Sequence, residues 1–344
     1  MAPKFVMAGE ELRRLRERRR LDQQGLAELL NDQLGRSYDR SRISRWEKGT
    51  ERIPQVVAAA LQALEAPAEP TGTGSAVVLA VANQKGGVGK TTSCVNLAFL
   101  LARKGLRVLL VDCDGQANAT IHFGLDPLAE EHAGHTLDHV LFAQKPPGDA
   151  VVRVCNDLLG LVPASINLAA ADTELIREPN GSLVLRENID DIRADWDFII
   201  LDCAPNLGLL TISALNAADL VLIPSQTEML SIAGIPKIME TISKVRRRIN
   251  PRVAVVGILP TLHKARRAQN RDMMDQLRAM ADRFGVPLFD SVPDAADYGN
   301  GVTAGRPALE MNPAVPGADI YATVADRLIA HRRERAEEGR HAAA

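Results

Sequence analysis

One short stretch, ANQKGGVGKTT at residues 82–92, combines glycines, lysines and threonines in a pattern that could hold phosphates. Glycines let backbone N–H groups approach an anion closely, while Lys90 would bridge the β and γ phosphates of a nucleotide and Thr91 would bind Mg²⁺. Lys85 is one lysine more than this chemistry needs, and Gln84 replaces the first glycine of the usual GxxxxGK[ST] pattern. The expected nucleotide contacts are Lys85, Gly86, Gly87, Val88, Gly89, Lys90, Thr91 and Thr92.

Carboxylates follow two other apolar runs of the chain. LLVDCDG carries Asp112 and Asp114, and FIILDCAP carries Asp202. Carboxylates at such positions hold Mg²⁺ through water, or orient a water for attack on a γ-phosphate. A single aspartate at a strand end often only caps a turn. Three of them beside a phosphate loop are hard to explain in that way and favour a site that binds Mg²⁺ with the phosphates of a nucleotide.

Buried strands that alternate with helices must position these residues. Short runs rich in Val, Ile and Leu predict strands at residues 76–83, 107–112, 198–202, 220–225 and 253–260. Strands that are apolar throughout are typical of a parallel sheet covered on both faces. A helix is expected over residues 92–105, directly after the phosphate loop. The pattern predicts a doubly wound α/β domain whose ligand lies at the carboxyl ends of the strands.

The first 65 residues have a different pattern, that of a small all-α domain. Helices are expected over residues 8–20, over 22–32, over a short segment that Gly49 ends, and over 54–65. Ile43 and Trp46 mark the buried side of the short helix, which leaves a polar face suited to phosphates and guanine edges. A solvated charged face is the alternative. The candidate DNA contacts on this face are Arg40, Ser41, Arg42, Arg45 and Lys48.

Charge and composition separate the two regions. Residues 1–65 carry 13 basic against 10 acidic residues, whereas the whole chain of 344 residues has a net charge of −2. APAEPTGTGS at residues 66–75 sustains neither helix nor strand and predicts a linker. We therefore expect a small helical domain at 1–65, a linker at 66–75 and the α/β domain from residue 76 onward.

The cysteines and the hydropathy pattern exclude other classes of protein. The four cysteines form no CxxC pair, so we expect buried reduced thiols and no metal cluster. The sequence has neither an apolar run long enough to span a membrane nor a segment typical of a secretory signal. A cytoplasmic protein is expected.

Both regions resemble known families. QQGLAELL followed by SRISRWEKGTERIP resembles the Cro/C1 (XRE) helix-turn-helix domains, with a longer connection, NDQLGRSYD, before the recognition helix. NQKGGVGKTT, VDCDGQANAT and LDCAPNLG resemble the deviant Walker A, Walker A′ and Walker B motifs of the ParA/Soj partition ATPases, within the wider ParA/MinD group. The first resemblance implies that the domain at 1–65 binds DNA. The second runs from about residue 76 to 338, which implies an ATPase domain at 76–338 and a tail at 339–344.

The partition ATPase resemblance assigns roles to several residues. It implies that Lys85 reaches across a nucleotide-sandwich homodimer to the partner's ATP, which would make dimerisation depend on ATP. It also implies that Asp114 is the hydrolytic aspartate and that Asp202 is the Walker B carboxylate. With the roles expected above from the residues themselves, the candidate catalytic residues are Lys85, Lys90, Asp114 and Asp202, and the candidate metal residues are Thr91, Asp112 and Asp202.

Three segments depart from the family pattern. The family commonly has D-P-Q-G-N and D-x-P-P-S, whereas this chain has DGQAN from Asp114 and DCAPN from Asp202. These changes bear on the rate of hydrolysis more than on nucleotide binding. SVPDAADYGNG stands where relatives often have I-P-R-N, so Pro293 and Asp294 are candidates for the adenine pocket.

The choice within the group rests on the C-terminal helix and on basic clusters. Ile320, Val324 and Leu328 predict a helix packed on the core rather than a membrane-binding one. Non-specific DNA contacts are predicted at Arg246, Arg247, Arg248, Lys264, Arg266 and Arg267, although the first cluster also suits a helix C-terminus. We expect a nucleoid-associated ATPase that partitions DNA with a ParB-like centromere-binding partner. An ATP-switched transcriptional regulator and an ATPase that positions a protein assembly are the alternatives.

Overall fold

The computed structural model describes residues 9–18, 21–34, 36–54, 56–57, 75–264 and 268–343. The chain divides into two compact units, Met1–Thr71 and Gly72–Ala344. Each unit has its own hydrophobic core, and each is described separately below.

The N-terminal unit contains three described helices. They are α1 (Gly9–Arg18), α2 (Gln23–Leu34) and α3 (Arg40–Glu47). Ile43 and Trp46 of α3 are fully buried, as predicted, and Trp46 meets the ring of Tyr38 edge to face. Gly49 ends the segment with a φ of 70°, a conformation that glycine adopts without steric cost. Most of the helix predicted at 54–65 lies outside the described residues.

The second unit is built on a seven-stranded sheet with the order β3-β4-β2-β5-β1-β6-β7. The strands are β1 (Val77–Val81), β2 (Val108–Cys113), β3 (Val152–Arg153), β4 (Leu159–Val162), β5 (Phe198–Cys203), β6 (Leu220–Gln226) and β7 (Ala254–Thr261). Only β3 among them pairs antiparallel. The predicted fold class is confirmed, and all five predicted strands are present. The short strands β3 and β4 were not predicted.

Helices cover both faces of this sheet. They are α4 (Lys90–Arg103), α5 (Asn118–His122), α6 (Pro127–His132), α7 (Leu137–Leu141), α8 (Ala171–Arg177), α9 (Val184–Ile192), α10 (Leu209–Ala217), α11 (Met229–Arg248), α12 (Ala268–Phe284), α13 (Ala296–Ala304), α14 (Ala308–Met311) and α15 (Ala318–Ala343). Alternate residues of the strands enter two separate hydrophobic clusters, one on each face. Every residue of β1 is therefore buried, which explains its continuous apolar run.

The C-terminal helix α15 packs on the core as predicted. Val324 and Leu328 are fully buried, and Ile320 packs beside them. Farther along the helix, Arg332 contacts the buried carboxylate of Asp197. This charged part of α15 is thus also held against the sheet domain. No described helix is long and apolar enough to cross a membrane.

The cysteines are free thiols, but they are not equally buried. Cys94, Cys113 and Cys203 are buried, whereas Cys155 is only half-buried. Cys155 lies in the turn between β3 and β4 and has a φ of 56°. The expectation that every thiol is buried is therefore wrong at Cys155, because this turn lies at the edge of the sheet.

Candidate functional site

The phosphate loop joins β1 to α4 at the carboxyl end of the sheet. Gly87 and Gly89 have φ values of 72° and 76°, which a glycine adopts without strain. Gly89 is the N-cap of α4, and no side chain caps this helix end. The backbone N–H groups of its first turn therefore remain free of a side-chain cap, as an anion-binding helix N-terminus requires.

Lys90 places a cation inside this loop. Its side chain is buried, and Nζ donates a hydrogen bond to the carbonyl oxygen of Lys85 at 3.2 Å. Burial lowers the pKa of Lys90, while the nearby charges of Asp202 and Asp114 act in the opposite direction. The loop thus combines helix-end N–H groups with a desolvated ammonium group that faces carboxylates.

Polar residues at other strand ends fix the shape of the loop. Gln226, the last residue of β6, donates through Nε2 to the carbonyl of Gly87 at 3.0 Å. Thr261, the last residue of β7, donates through Oγ1 to the carbonyl of Val88 at 2.9 Å. These two residues were not predicted from the sequence. Their position after apolar strands, the same signal that selected Asp202, would have identified them.

The ammonium group of Lys85 contacts different residues from that of Lys90. Nζ of Lys85 donates to Oε1 of Gln226 at 3.2 Å and to Oε2 of Glu228 at 3.1 Å. Glu228 precedes α11, whose first residues, Met229 and Leu230, are 64% and 77% exposed. The extra lysine therefore lies at the rim of the loop and contacts the residue that precedes this exposed apolar start of α11.

Two carboxylates meet at the ends of β2 and β5. Asp112 and Asp202 are paired in register on adjacent strands, and both are buried. Asp112 accepts hydrogen bonds from the N–H and the hydroxyl of Thr120 at 2.9 and 2.8 Å. Burial raises the pKa of both carboxyls, and the charge of Asp202 raises the pKa of Asp112 further. The two negative charges thus destabilise each other when no cation is present.

Asp202 offers a ligand atom to a metal ion. Its Oδ1 accepts a weak hydrogen bond from Sγ of Cys94 at 3.5 Å, and its buried Oδ2 has no hydrogen bond of standard geometry among the described residues. Burial raises the pKa of Asp202, and the nearby side chain of Thr91 acts in the opposite direction. A buried carboxylate oxygen without a partner is costly unless a cation compensates it. Mg²⁺, which prefers carboxylate oxygens and water, fits this position beside the phosphate loop.

Asp114 begins the altered loop between β2 and α5. Its Oδ1 accepts a hydrogen bond from the N–H of Gln116 at 3.0 Å. Ala117, the N-cap of α5, has a φ of 53° and a ψ of 34°. A Cβ atom on Gly115 would lie 2.9 Å from the backbone nitrogen of Ala169. The two residues that depart from the family pattern are thus a glycine in close contact with another segment and an alanine in a left-handed conformation.

A cavity of about 40 Å³ adjoins the start of α4. One of the two predicted adenine-pocket residues, Pro293, lines this cavity. Its lining residues are Gly89, Thr92, Thr261, Leu262, Val292, Pro293, Tyr298 and Tyr321. Asp294 is absent from this described lining, and its carboxylate forms an ion pair with Lys264 at 3.2 Å. The walls of this cavity are mainly apolar and aromatic.

The predicted DNA-binding face of α3 is exposed. Its polar residues Arg40, Ser41, Arg42, Arg45 and Lys48 are all at the surface. Behind them, Glu47 accepts hydrogen bonds from Nε of Arg16 at 2.6 Å and from Nε2 of Gln23 at 2.8 Å. These contacts tie α3 to the rest of the N-terminal unit, so the exposed face lies on a fixed helix.

The basic clusters of the second unit are only partly described. Arg246, Arg247 and Arg248 are exposed in the last turn of α11. Lys264 is exposed after β7. Arg266 and Arg267 lie outside the described residues.

Comparison with known proteins supports the assignment of both units. A family model described as an AAA domain matches residues 76–255, and one described as a helix-turn-helix domain matches residues 8–72. The chromosome partitioning protein ParA of Caulobacter vibrioides is 34% identical over 261 residues, which cover 75% of this chain and 96% of the relative. The chromosome-partitioning ATPase Soj of Thermus thermophilus is 38% identical over 257 residues, with coverage of 74% and 96%.

A solved structure agrees with this result. Cobyrinic acid a,c-diamide synthase from Mycobacterium smegmatis, crystallised with an ATP analogue and magnesium, is 34% identical and has a TM-score of 0.64. The alignment covers 75% of this chain and 96% of that protein. The AAA-domain match includes the phosphate loop and the carboxylates of β2 and β5. The chain therefore belongs to the ParA/Soj-type ATPases of this AAA domain family, with a helix-turn-helix domain at its N-terminus.

Proposed function

We propose that this ATPase partitions DNA, and that ATP switches it from a monomer to a homodimer that binds DNA of any sequence. One observation carries the proposal. The chain has two lysines in its phosphate loop, and only Lys90 is buried beside the carboxylates, whereas Lys85 is held at the rim by Gln226 and Glu228. A charge at the rim is suited to the phosphates of a second protomer's nucleotide.

ATP and Mg²⁺ are the cofactors, and the residues of one protomer supply most of the site. The first turn of α4 and Lys90 would hold the phosphates. Thr91, Asp112 and Asp202 would hold the metal ion, which would supply positive charge to neutralise the phosphates, and Asp114 would orient the attacking water. Pro293 and its neighbours surround the adenine ring, and Asp294 stays a candidate at the edge of this pocket.

A second protomer completes the site with its own Lys85. Met229 and Leu230 support such an interface, because exposed apolar side chains beside a functional residue commonly mark a surface that a partner covers. Breaking the contact between Lys85 and Glu228 would release the lysine for the partner's phosphates. The ATP state would then control the oligomeric state.

DNA is bound by two different surfaces. The exposed basic residues at the end of α11, together with Lys264, Arg266 and Arg267, contact phosphates of any DNA. The exposed face of α3 reads an operator through base edges. A ParB-like centromere-binding protein stimulates hydrolysis, and DNA binding makes the ATPase nucleoid-associated. If only the α3 face binds DNA, the alternative of an ATP-switched transcriptional regulator is favoured.

Binding of the full chain to an arbitrary duplex, with and without ATP and Mg²⁺, tests the proposal. We expect ATP to strengthen binding, and the Arg246→Ala/Arg247→Ala variant to lose this increase. Each lost phosphate contact also reduces the slope of log K against log salt by about 0.9. Arg186→Ala is the control, because this arginine forms an ion pair with Asp190 within α9 and is not part of the basic cluster.

The outcomes separate the alternatives. If the wild-type chain binds an arbitrary duplex equally with and without ATP, the partition function is rejected in favour of the regulator. If the double variant keeps the full effect of ATP, these two arginines are not phosphate contacts.

A further inference from the structure

A carboxylate, that of Glu51, lies against the exposed face of α3. Nε of Arg42 donates to its Oε1 at 3.0 Å, and Nε of Arg45 donates to its Oε2 at 2.8 Å. Residues three apart on a helix share one face, so one carboxylate can hold both arginines. The side chains of Arg42 and Arg45 nevertheless stay 44% and 51% exposed. Both arginines are therefore fixed and still accessible.

The turn after α3 fixes the position of Glu51. The backbone N–H groups of Thr50 and Glu51 both donate to the carbonyl of Arg45, at 3.0 and 3.3 Å. The hydroxyl of Thr50 donates to the same carbonyl at 3.1 Å. These hydrogen bonds therefore fix the backbone position of Glu51.

The two ion pairs leave the outer ends of the arginines available. Both bonds use Nε, and within the described part of the chain neither Arg42 nor Arg45 donates a hydrogen bond through Nη1 or Nη2. Arg42 also lies 5.8 Å from the ring centroids of both Tyr38 and Trp46. A guanidinium held in this way presents its remaining donors in a fixed direction, as bidentate recognition of O6 and N7 of guanine requires.

The negative charge of Glu51 also favours contacts of the arginines with bases over contacts with phosphates. A free arginine binds any phosphate within reach, whereas a carboxylate beside it repels phosphates and leaves the uncharged base edges less affected. We propose that Glu51 is a positioning residue that sets the sequence specificity of this helix-turn-helix domain, by directing Arg42 and Arg45 to guanine rather than to phosphate. This inference rests on the proposed operator binding by α3.

Selection from a pool of random duplexes tests the proposal and identifies the operator motif in the same experiment. The full wild-type chain is expected to enrich a motif that contains guanine. Its affinity for the enriched duplex is then compared with that for a scrambled duplex of the same composition. In Glu51→Gln this ratio should fall at least about fivefold, because a good bidentate pair discriminates by that factor or more. The dependence of scrambled-duplex binding on salt should become steeper, by about 0.9 in log–log slope for each arginine that turns to a phosphate.

A control and two contrary outcomes make the test decisive. Glu17→Gln removes the same charge from an exposed residue of α1 that pairs with Arg13, and should leave the ratio unchanged. If Glu51→Gln strengthens binding to both duplexes equally and enriches the same motif, Glu51 acts only through its charge and the positioning role is rejected. If the wild-type chain enriches no motif, operator binding itself fails.

Discussion

Gly115 shows how a single position in the Asp114 loop depends on a segment distant in sequence. A Cβ atom at this position would lie 2.9 Å from the backbone nitrogen of Ala169 and 3.3 Å from its Cα. Ala169 belongs to a short 3-10 helix, Ile166–Ala170. Because the neighbour is backbone and not a flexible side chain, it cannot yield without moving that helix. The glycine that replaces the family's proline is therefore required by packing.

We predict that Gly115→Ala lowers the free energy of unfolding by about 1–3 kcal/mol, the usual cost of overpacking. Urea unfolding at constant m-value measures this change. Gln116→Ala, at an exposed neighbour, should stay within about 0.5 kcal/mol of the wild type. Equal stability of the two variants would show that the 3-10 helix moves away without cost.

Ala117 illustrates what sequence reasoning could not provide at this scale. Its departure from the family pattern is visible in the sequence, but its left-handed φ of 53° is not. The deviant lysine, Lys85, was identifiable from the motif alone. Its contacts with Gln226 and Glu228 were not, because these residues follow it by more than a hundred positions and meet it only through the pairing of β1 with β6.

At the scale of elements, the apolar pattern was enough for the five longest strands but not for β3 and β4. Strand β4 has four residues and includes Gly160, where a Cβ atom would lie 2.7 Å from both Trp196 and Val151. A strand so short, with a glycine required by a distant tryptophan, has too weak a periodicity to predict. Strand β3 has only two residues, and its existence depends on its pairing with β4.

Helix α5 contains a titratable group that the function does not use. His122 is buried, its Nε2 has no partner within the described residues, and burial lowers its pKa to about 4. The folded state therefore favours neutral histidine. The contribution of neutral His122 to the free energy of unfolding is therefore complete above the unfolded pKa of 6.5, and it is lost as the pH falls toward 4.

We predict that the free energy of unfolding decreases between pH 6.5 and pH 4 by up to about 3 kcal/mol more in the wild type than in His122→Leu. The measurement is urea unfolding of both proteins across this range. His132→Leu, at an exposed histidine on α6, is the matched control and should keep the wild-type profile. Parallel profiles of wild type and His122→Leu would mean that His122 becomes charged in the folded protein without cost.

At the scale of the whole molecule, the phosphate loop, two carboxylates and the rim lysine lie together at the carboxyl end of the sheet. This arrangement follows from parallel strands whose carboxyl ends meet, so the location of the site was predictable from the motifs. The polar face of α3 was predictable from the sequence, because Ile43 and Trp46 define the opposite, buried side of this helix. The ion pairs of Glu51 were not, since they depend on the conformation of the turn that follows Gly49.

In the proposed dimer, the contact between Lys85 and Glu228 would link the nucleotide site to the oligomeric state. Glu228 competes for the lysine in the monomer, whereas the partner's phosphates take it in the proposed dimer. The pair is at the surface, with Glu228 65% exposed, so its contribution is about 0.2–1 kcal/mol. A symmetric homodimer breaks two such pairs, so removing the carboxylate should strengthen ATP-dependent dimerisation by no more than about thirtyfold, because about 2 kcal/mol corresponds to that factor.

Sedimentation velocity with ATP and Mg²⁺ tests this prediction with three variants. Lys85→Ala should stay monomeric where the wild type dimerises, because no other residue of the loop supplies the charge in trans. Glu228→Gln should dimerise at equal or lower concentration than the wild type. Glu240→Gln, which breaks an exposed pair with Lys244 on the same helix, should behave as the wild type. A Lys85→Ala protein that dimerises normally with ATP would remove the lysine from the interface, and the dimer would then have to form through other contacts.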